Sequence, residues 1–290
     1  VPLNIINAID DAIEASQDPL DNFRNHLGLS GVGKNCKRAL WYDFRWMTLK
    51  TFQARILRIF NRGHREEPRF VQLLEAAGFQ VLSAVPGSVT PENPDGEQFS
   101  FKDARYPVIG GSIDGIVIDL LESGRNCGLE LKTMKASLFR ELCKQEVEKA
   151  KPIHFSQMQG YMKASQKSAW PLDAFLYMVL NKDTEELYSE LVLPDVETQE
   201  RDIAAARHVV SSEFIPDRIS SSEDWYECKF CDHLPICHRD ALPHKNCRSC
   251  RNGRPLLQQP NDWKCIRFDQ QLNREDQLLG CNFYEQRVAP

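Results

Sequence analysis

Apolar residues recur at positions 5, 6, 9, 12 and 13, and Asp18-Pro19 closes the segment, so residues 3–15 predict a short amphipathic helix. Glycines punctuate a turn over residues 28–34. Residues 36–60 then interleave apolar and basic side chains at helical spacing, with a break near 48–51, which fits two basic helices. A third helix is expected over 65–77, with Gly78 at its C-terminal cap. The period next shifts to two. Strands over 79–85, 108–121 and 127–132, with a Pro/Gly/Asn-rich loop at 86–97, read as a β-meander. Helical spacing returns at 137–145 and 153–167. The apolar run 174–181 predicts a buried strand, 186–193 its partner across Asn181-Lys182-Asp183-Thr184, and 196–211 a last long helix. Strands alternating with helices predict an α/β core, a central mixed β-sheet flanked by helices, and from about Trp225 a cysteine-rich metal-binding tail. Residues 1–224 form the expected core with its N-terminal basic helices, 225–240 a first cysteine segment and 241–290 a second module.

Composition narrows the class. With 42% hydrophobic and 27% charged residues in 290, the chain matches globular proteins, and disorder, coiled coil and collagen do not fit. The longest unbroken apolar run, Ala174 to Leu180, is far short of the roughly 20 residues a bilayer crossing needs, and no charged-then-apolar leader opens the sequence. No membrane partner and a cytoplasmic setting are expected. The formal net charge of -5 hides a local excess of seven positive charges, because residues 34–69 hold ten Lys/Arg and three Asp/Glu. Lysine and arginine neutralise phosphates whatever the base sequence, so this segment is the expected nucleic-acid contact, with Lys37, Arg38, Arg45, Arg55, Arg58 and Arg62 as candidates. Trp41, Tyr42, Phe44 and Trp46 lie within it. They are expected mostly in the core, although aromatic rings also stack on unpaired bases.

Gly28-Leu-Ser-Gly-Val-Gly33-Lys34 satisfies the first seven positions of a phosphate-binding loop. Asn35 fails the eighth, where a hydroxyl should ligate magnesium, and the polar stretch 21–27 replaces the required buried strand. A turn before a helix is the better reading. Stronger chemistry lies downstream. Gly110-Gly111-Ser112-Ile113-Asp114 leads into one strand and Gly128-Leu129-Glu130-Leu131-Lys132 is the next, so Asp114 and Glu130 can meet at a sheet edge. Glu130 and Lys132 are two apart and share a face, with Leu131 on the other. Two hard oxygen ligands beside an ammonium describe a magnesium or manganese site with a lysine next to the attacking water.

With His64 on an early helix, the Gly110-Gly111-Ser112-Ile113-Asp114 segment, the Glu130-Leu131-Lys132 strand and Gln157-Met-Gln-Gly-Tyr161 on a later helix, the chain resembles the PD-(D/E)XK nucleases, specifically their RecB-like branch. The resemblance spans His64 to Tyr161 by motif and implies a restriction-endonuclease-like core. It further implies that Asp114, Glu130 and the Leu131 backbone carbonyl hold the metal, with His64 completing its shell or holding a second ion. Lys132 would orient or deprotonate water, and Gln157 and Tyr161 would position DNA. Glu67, one turn after His64, is a further candidate ligand, as in the similar lambda-phage exonuclease.

Seven of the ten cysteines fall in two groups. Cys228-x2-Cys231-x5-Cys237 is one thiolate short of a tetrahedral metal or iron-sulfur set. The iron-sulfur members of the same branch, AddB and the CRISPR-associated adaptation nucleases, join one cysteine before the core to three after it. That resemblance implies Cys36 as the fourth ligand of a 4Fe-4S cluster. Zinc completed by His233 or His238, or free buried thiols, are the alternatives. Cys247-x2-Cys250-x14-Cys265-x15-Cys281 reads as a structural zinc site, with His244 as a possible substitute ligand. Together these readings predict a metal-dependent DNA exonuclease acting in DNA-end processing or recombination, of phage or bacterial origin, with a strand-annealing protein as an expected partner. The alternatives are a structure-specific or single-strand endonuclease and a non-catalytic DNA-binding module.

Overall fold

The computed structural model describes residues 5–120, 124–259 and 261–287. Positions 3 and 121, at the ends of an expected helix and strand, lie outside them, as do both outer limits of the expected domains. Helix α1 spans Ile6–Ala15, β1 is Leu27–Gly28, and α2 is Lys37–Phe44. Trp46 adopts a left-handed backbone, φ 53, which ends α2, and its indole Nε1 donates to the Arg24 carbonyl at 2.8 Å. The next helix differs from expectation. In place of a second basic helix and a separate one over 65–77, α3 runs unbroken over Ala54–Ala76, through Gly63 and Pro68. Its inward face carries Phe70 and Leu74 onto the sheet, and that packing outweighs the helix-weakening effect of the two residues.

The strands are β2 (Gln80–Leu82), β3 (Ser100–Lys102), β4 (Ile109–Ser112), β5 (Gly115–Ile118), β6 (Cys127–Met134), β7 (Ala174–Asn181) and β8 (Leu187–Val192). The helices among them are α4 (Ala136–Ala150), α5 (Pro152–Ser165) and α6 (Val196–Ser211). α4 breaks at Glu146, φ 61, beside the expected end at 145. The expected single strand over 108–121 is two strands in two sheets. β4 pairs with β1 and β3, whereas β5 joins a five-stranded sheet of order β2-β5-β6-β7-β8. The expected meander is present in β2, β5 and β6, which are antiparallel neighbours, while β4 leaves it for the other sheet and β6 runs parallel to β7.

Period-two alternation places the two cores. Leu129, Leu131, Leu176, Met178 and Leu180 pack with Phe70 and Leu74 of α3, while Phe175, Tyr177 and Val179 pack with Met158, Tyr161 and Met162 of α5. Burying each such side chain stabilises the fold by about 1.5–3 kcal/mol. Glu130 and Lys132 sit on the α5-facing register beside Tyr177 and Val179.

Beyond the sheet come α7 (Tyr226–Lys229), α8 (Leu234–His238), a three-stranded antiparallel sheet of β9 (Gly253–Pro255), β10 (Trp263–Cys265) and β11 (Gln270–Leu272), and α9 (Arg274–Leu279). Trp263 and Leu272 belong to the same core as α5 and α6. The four α2-region aromatics, Trp41, Tyr42, Phe44 and Trp46, are all buried. No helix among the described residues is long and apolar enough to cross a membrane.

Candidate active site

Asp114 stands at the step between β4 and β5, where the chain leaves one sheet for the other. Its Oδ2 accepts from the Leu131 amide at 2.8 Å, which ties the step to the centre of β6. Glu130 is 1% exposed, and its Oε2 accepts from Gln157 Nε2 at 2.6 Å. Its Oε1 faces the Lys132 ammonium as a charge contact but has no aligned hydrogen bond. Lys132 Nζ also donates to the Leu131 carbonyl at 3.2 Å. Burial pushes Glu130 up to about 7, opposed by Lys132 and reinforced by Asp114 and Glu67. Burial works against the Lys132 charge, yet Glu130, Asp114 and Glu67 outweigh it and hold the amine above its ordinary value. Glu67 on α3 is raised by burial and by Asp114, against the pull of His64. The three carboxylates therefore feel one another across the strand–helix boundary.

His64, Glu67, Leu131 and Lys132 line a cleft of 580 Å³ with Asn22, Arg24, Phe52 and Phe60. His64 is 76% exposed, and its Nδ1 lies 3.4 Å from Glu67 Oε1. Sequence reasoning missed Arg24 and the apolar wall, which have no motif. It also missed His154, one helical turn before Gln157, whose Nδ1 pairs with the Tyr177 hydroxyl at 2.7 Å behind the site. Its spacing from Gln157 was a readable signal.

Tyr161 corrects an expectation. It is buried, and its hydroxyl donates to the Ser112 carbonyl at 2.7 Å, so it anchors the strand that delivers Asp114 and does not reach toward DNA. This contact requires Gly111, where a Cβ would lie 2.6 Å from the Tyr161 hydroxyl. Gln157 likewise holds Glu130.

The six basic candidates divide. Lys37 Nζ donates to the carbonyls of Val32 and Lys34, Arg38 Nε to that of Pro216, and Arg45 Nη2 to that of Ser212. These three are corrected from DNA contacts to internal supports, because α2 is enclosed and their long side chains satisfy carbonyls at chain turns. Arg55, Arg58 and Arg62 are exposed on α3. Arg58 pairs with Asp10, and Arg62 donates to the Lys182 carbonyl at 3.2 Å. Lys34 of the glycine-rich loop pairs with Asp43 at 3.2 Å.

Cys36, Cys228, Cys231 and Cys237 line one cavity of 250 Å³. Asn35 Nδ2 donates to Glu227 Oε1 at 2.9 Å, closing the 192-residue separation beside it. His233 is not available as a ligand there, since its Nε2 donates to Asp43 at 3.1 Å and its Nδ1 accepts from Thr48 at 2.8 Å. Burial would raise Asp43, but His233, Lys34 and Lys50 hold it well below the carboxylate range. Cys247, Cys250, Cys265 and Cys281 line a second cavity of 20 Å³, which His244 does not border. Burial and the other three thiols push Cys247 up to about 11. Among the described residues, no three His, Cys, Asp or Glu side chains stand at metal-ligating spacing.

No family model and no curated protein matches the chain. Among solved structures it is similar to LHK-Exo in complex with dAMP, at 16% identity and TM-score 0.45 over 69% of this chain and 90% of that one. The alkaline exonuclease LHK-Exo from Laribacter hongkongensis gives the same identity and TM-score over 66% and 89%. SSO0001 gives 13% identity and TM-score 0.43 over 82% and 95%.

Proposed function

We propose that the chain is a divalent-metal-dependent DNA nuclease that removes nucleotides from DNA ends. The observation that carries this reading is the buried Glu130 carboxylate, held between Gln157 and the Lys132 ammonium and electrostatically joined to Asp114 and Glu67 beside an open cleft. Burying a carboxylate is unfavourable without full pairing, and a hard oxygen-rich donor set fits magnesium or manganese. Asp114, Glu130 and the Leu131 carbonyl would hold that ion, with His64 and Glu67 as donors from α3. When bound, it supplies a lowered water pKa and charge neutralisation at phosphorus. Lys132 presents its ammonium at the same point, to orient the attacking water and stabilise charge gathering on phosphate oxygens. Gln157 fixes the Glu130 rotamer, and Tyr161 fixes the strand leading to Asp114. Exposed Arg55, Arg58 and Arg62 offer phosphate contacts near the cleft wall.

The test is digestion of an end-labelled linear duplex beside its covalently closed circular form, with magnesium, calcium or chelator, using wild type and Lys132→Ala. Magnesium-dependent loss of linear DNA alone, absent in the variant, is the expected result. Cutting of the circle would make the protein an endonuclease, and no cleavage of either by metal-replete protein would leave a DNA-binding module.

The reading extends to a 4Fe-4S cluster on Cys36, Cys228, Cys231 and Cys237. It is supported by their shared 250 Å³ cavity, roomy enough for a multi-atom group, and by the full engagement of His233. Anaerobically purified protein should be brown with stoichiometric iron and sulfide, and Cys36→Ser and Cys228→Ser should both lose the colour. A cytoplasmic setting in a bacterial or phage-infected cell, and transfer of the surviving strand to a strand-annealing recombination protein, belong to the same reading.

A further inference from the structure

The second cysteine cavity differs from the first in scale: 20 Å³ suits a single ion, where 250 Å³ does not. Its four thiols come from three stretches that the backbone already gathers. Cys247-Arg248-Ser249-Cys250 forms a tight loop closed by Gly253, whose amide donates to the Cys250 carbonyl at 3.1 Å. A Cβ on Gly253 would lie 2.0 Å from the Cys247 carbonyl, so the chain folds back directly over that cysteine. Cys265 sits across β9–β10, in register with Gly253. Gly280, φ 59, turns the chain beside Lys245 and Asn246 and so delivers Cys281 to the same place. The Cys247 amide donates to Gln277 on α9 at 2.8 Å. Strands of three residues each do not make a self-sufficient sheet, and all four thiols are free.

The middle of this loop is inserted into the rest of the protein. Arg248 and Ser249 are fully buried. The Arg248 guanidinium lies 3.7 Å over the Trp46 ring, its Nε donates to Gln277 Oε1 at 2.7 Å, and its Nη1 reaches the carbonyls of Arg24, Asn25 and Phe44 at 3.3–3.4 Å. Arg24 lines the 580 Å³ cleft.

We propose that Cys247, Cys250, Cys265 and Cys281 bind one tetrahedral zinc ion, and that the loop clamped by this ion drives Arg248 against the Arg24–Asn25 backbone, setting the wall of the cleft. Four thiolates with no open position define a structural zinc set, and the thiols turn onto the ion and release their protons as it binds. Arg248 is then a positioning residue. The inference rests on the nuclease reading only in treating that cleft as the place of reaction.

The experiment uses the full chain, reduced and stripped of metal, then titrated with cobalt chloride or zinc chloride. One equivalent of cobalt should give the visible bands of a tetrahedral tetrathiolate site, bleached by one equivalent of zinc. In a Cys36→Ser background, which leaves the first cysteine group incomplete, the bands should persist, and they should vanish when Cys250→Ser or Cys281→Ser is added. Zinc addition should slow hydrogen exchange of amides 22–28 at least tenfold, while β6 and β7 exchange stays constant. Arg248→Lys keeps all four thiols and should bind the ion but lose that slowing. No stoichiometric uptake, bands that survive Cys250→Ser in the Cys36→Ser background, or disulfides among these cysteines in the native protein would overturn the site. Bound zinc with unchanged exchange at 22–28 would overturn the positioning role. None of these readouts depends on cleavage, so a failed nuclease assay beside intact cobalt and exchange results would refute the proposed function alone.

Discussion

Gly111→Ala is the sharpest probe of how Asp114 is delivered. The new methyl would sit 2.6 Å from the Tyr161 hydroxyl, where ordinary contact begins at 3.4 Å. Either the strand shifts, at about 1–3 kcal/mol for overpacking, or Tyr161 withdraws and leaves the Ser112 carbonyl unpaired, at about 1–3 kcal/mol. A loss of about 2 kcal/mol is expected. Tyr161→Phe alone should lose about 1 kcal/mol through the missing hydrogen bond. The next Tyr161 atom, Cζ, is 3.4 Å from the added methyl, so without the hydroxyl the alanine fits. The double variant should therefore match Tyr161→Phe, a favourable coupling of about 2 kcal/mol in a double-mutant cycle. Urea unfolding with unchanged m-values measures it, and cleavage should follow, weak in Gly111→Ala and partly restored in the double variant. Strictly additive losses would refute the contact as the reason for glycine.

Four other outcomes follow from the structure. Asp114→Asn should reduce magnesium-dependent cleavage by at least about 100-fold, on the scale of losing one electrostatic catalytic group, with unaltered circular dichroism; activity within tenfold of wild type would reject its role. Arg55→Ala should flatten the dependence of log K on log salt by about 1 in DNA-binding titrations and leave stability unchanged. Arg45→Ala should do the reverse, losing about 2–5 kcal/mol in denaturant unfolding with the salt slope intact. Burial lowers His154 to about 4 from 6.5, with Lys132 and Lys151 assisting. The unfolded chain thus takes up this proton first, and stability falls as pH drops through that window, by about 2 kcal/mol between pH 8 and 5. His154→Asn should remove that part of the fall in urea midpoints, and an unchanged pH profile would contradict a buried neutral imidazole.

Period and spacing made the strongest elements legible. The apolar run of β7 and the alternation around Glu130 follow from burial on both faces of a central strand, and the structure places both as expected. The catalytic candidates were readable because strand geometry fixes which side chains share a face. What escaped depends on contacts distant in sequence. The division at Ile113-Asp114 is decided by partners, β3 and β1 on one side and β2 and β6 on the other, and the Val/Ile-rich stretches that flank it on both sides conceal it. Lys37, Arg38 and Arg45 looked like a phosphate-binding face because charge is visible in sequence, whereas the carbonyls they satisfy lie up to 178 residues away. The spacing placed one helix ending at 60 and another beginning at 65, and sheet packing keeps α3 whole across both.

The guanidinium of Arg274 reaches the carbonyl of Phe23, 251 positions earlier, and Trp263 packs on Phe44. During synthesis at 5–20 residues per second, roughly 12–50 s separate the emergence of these partners. Throughout that interval the Trp41–Trp46 surface waits without its cover, a nascent-chain hazard that favours chaperone engagement. The same delay keeps the Arg24 wall unsupported until the tail has left the ribosome. Chains truncated before Arg248 should therefore be found among aggregates or protease products.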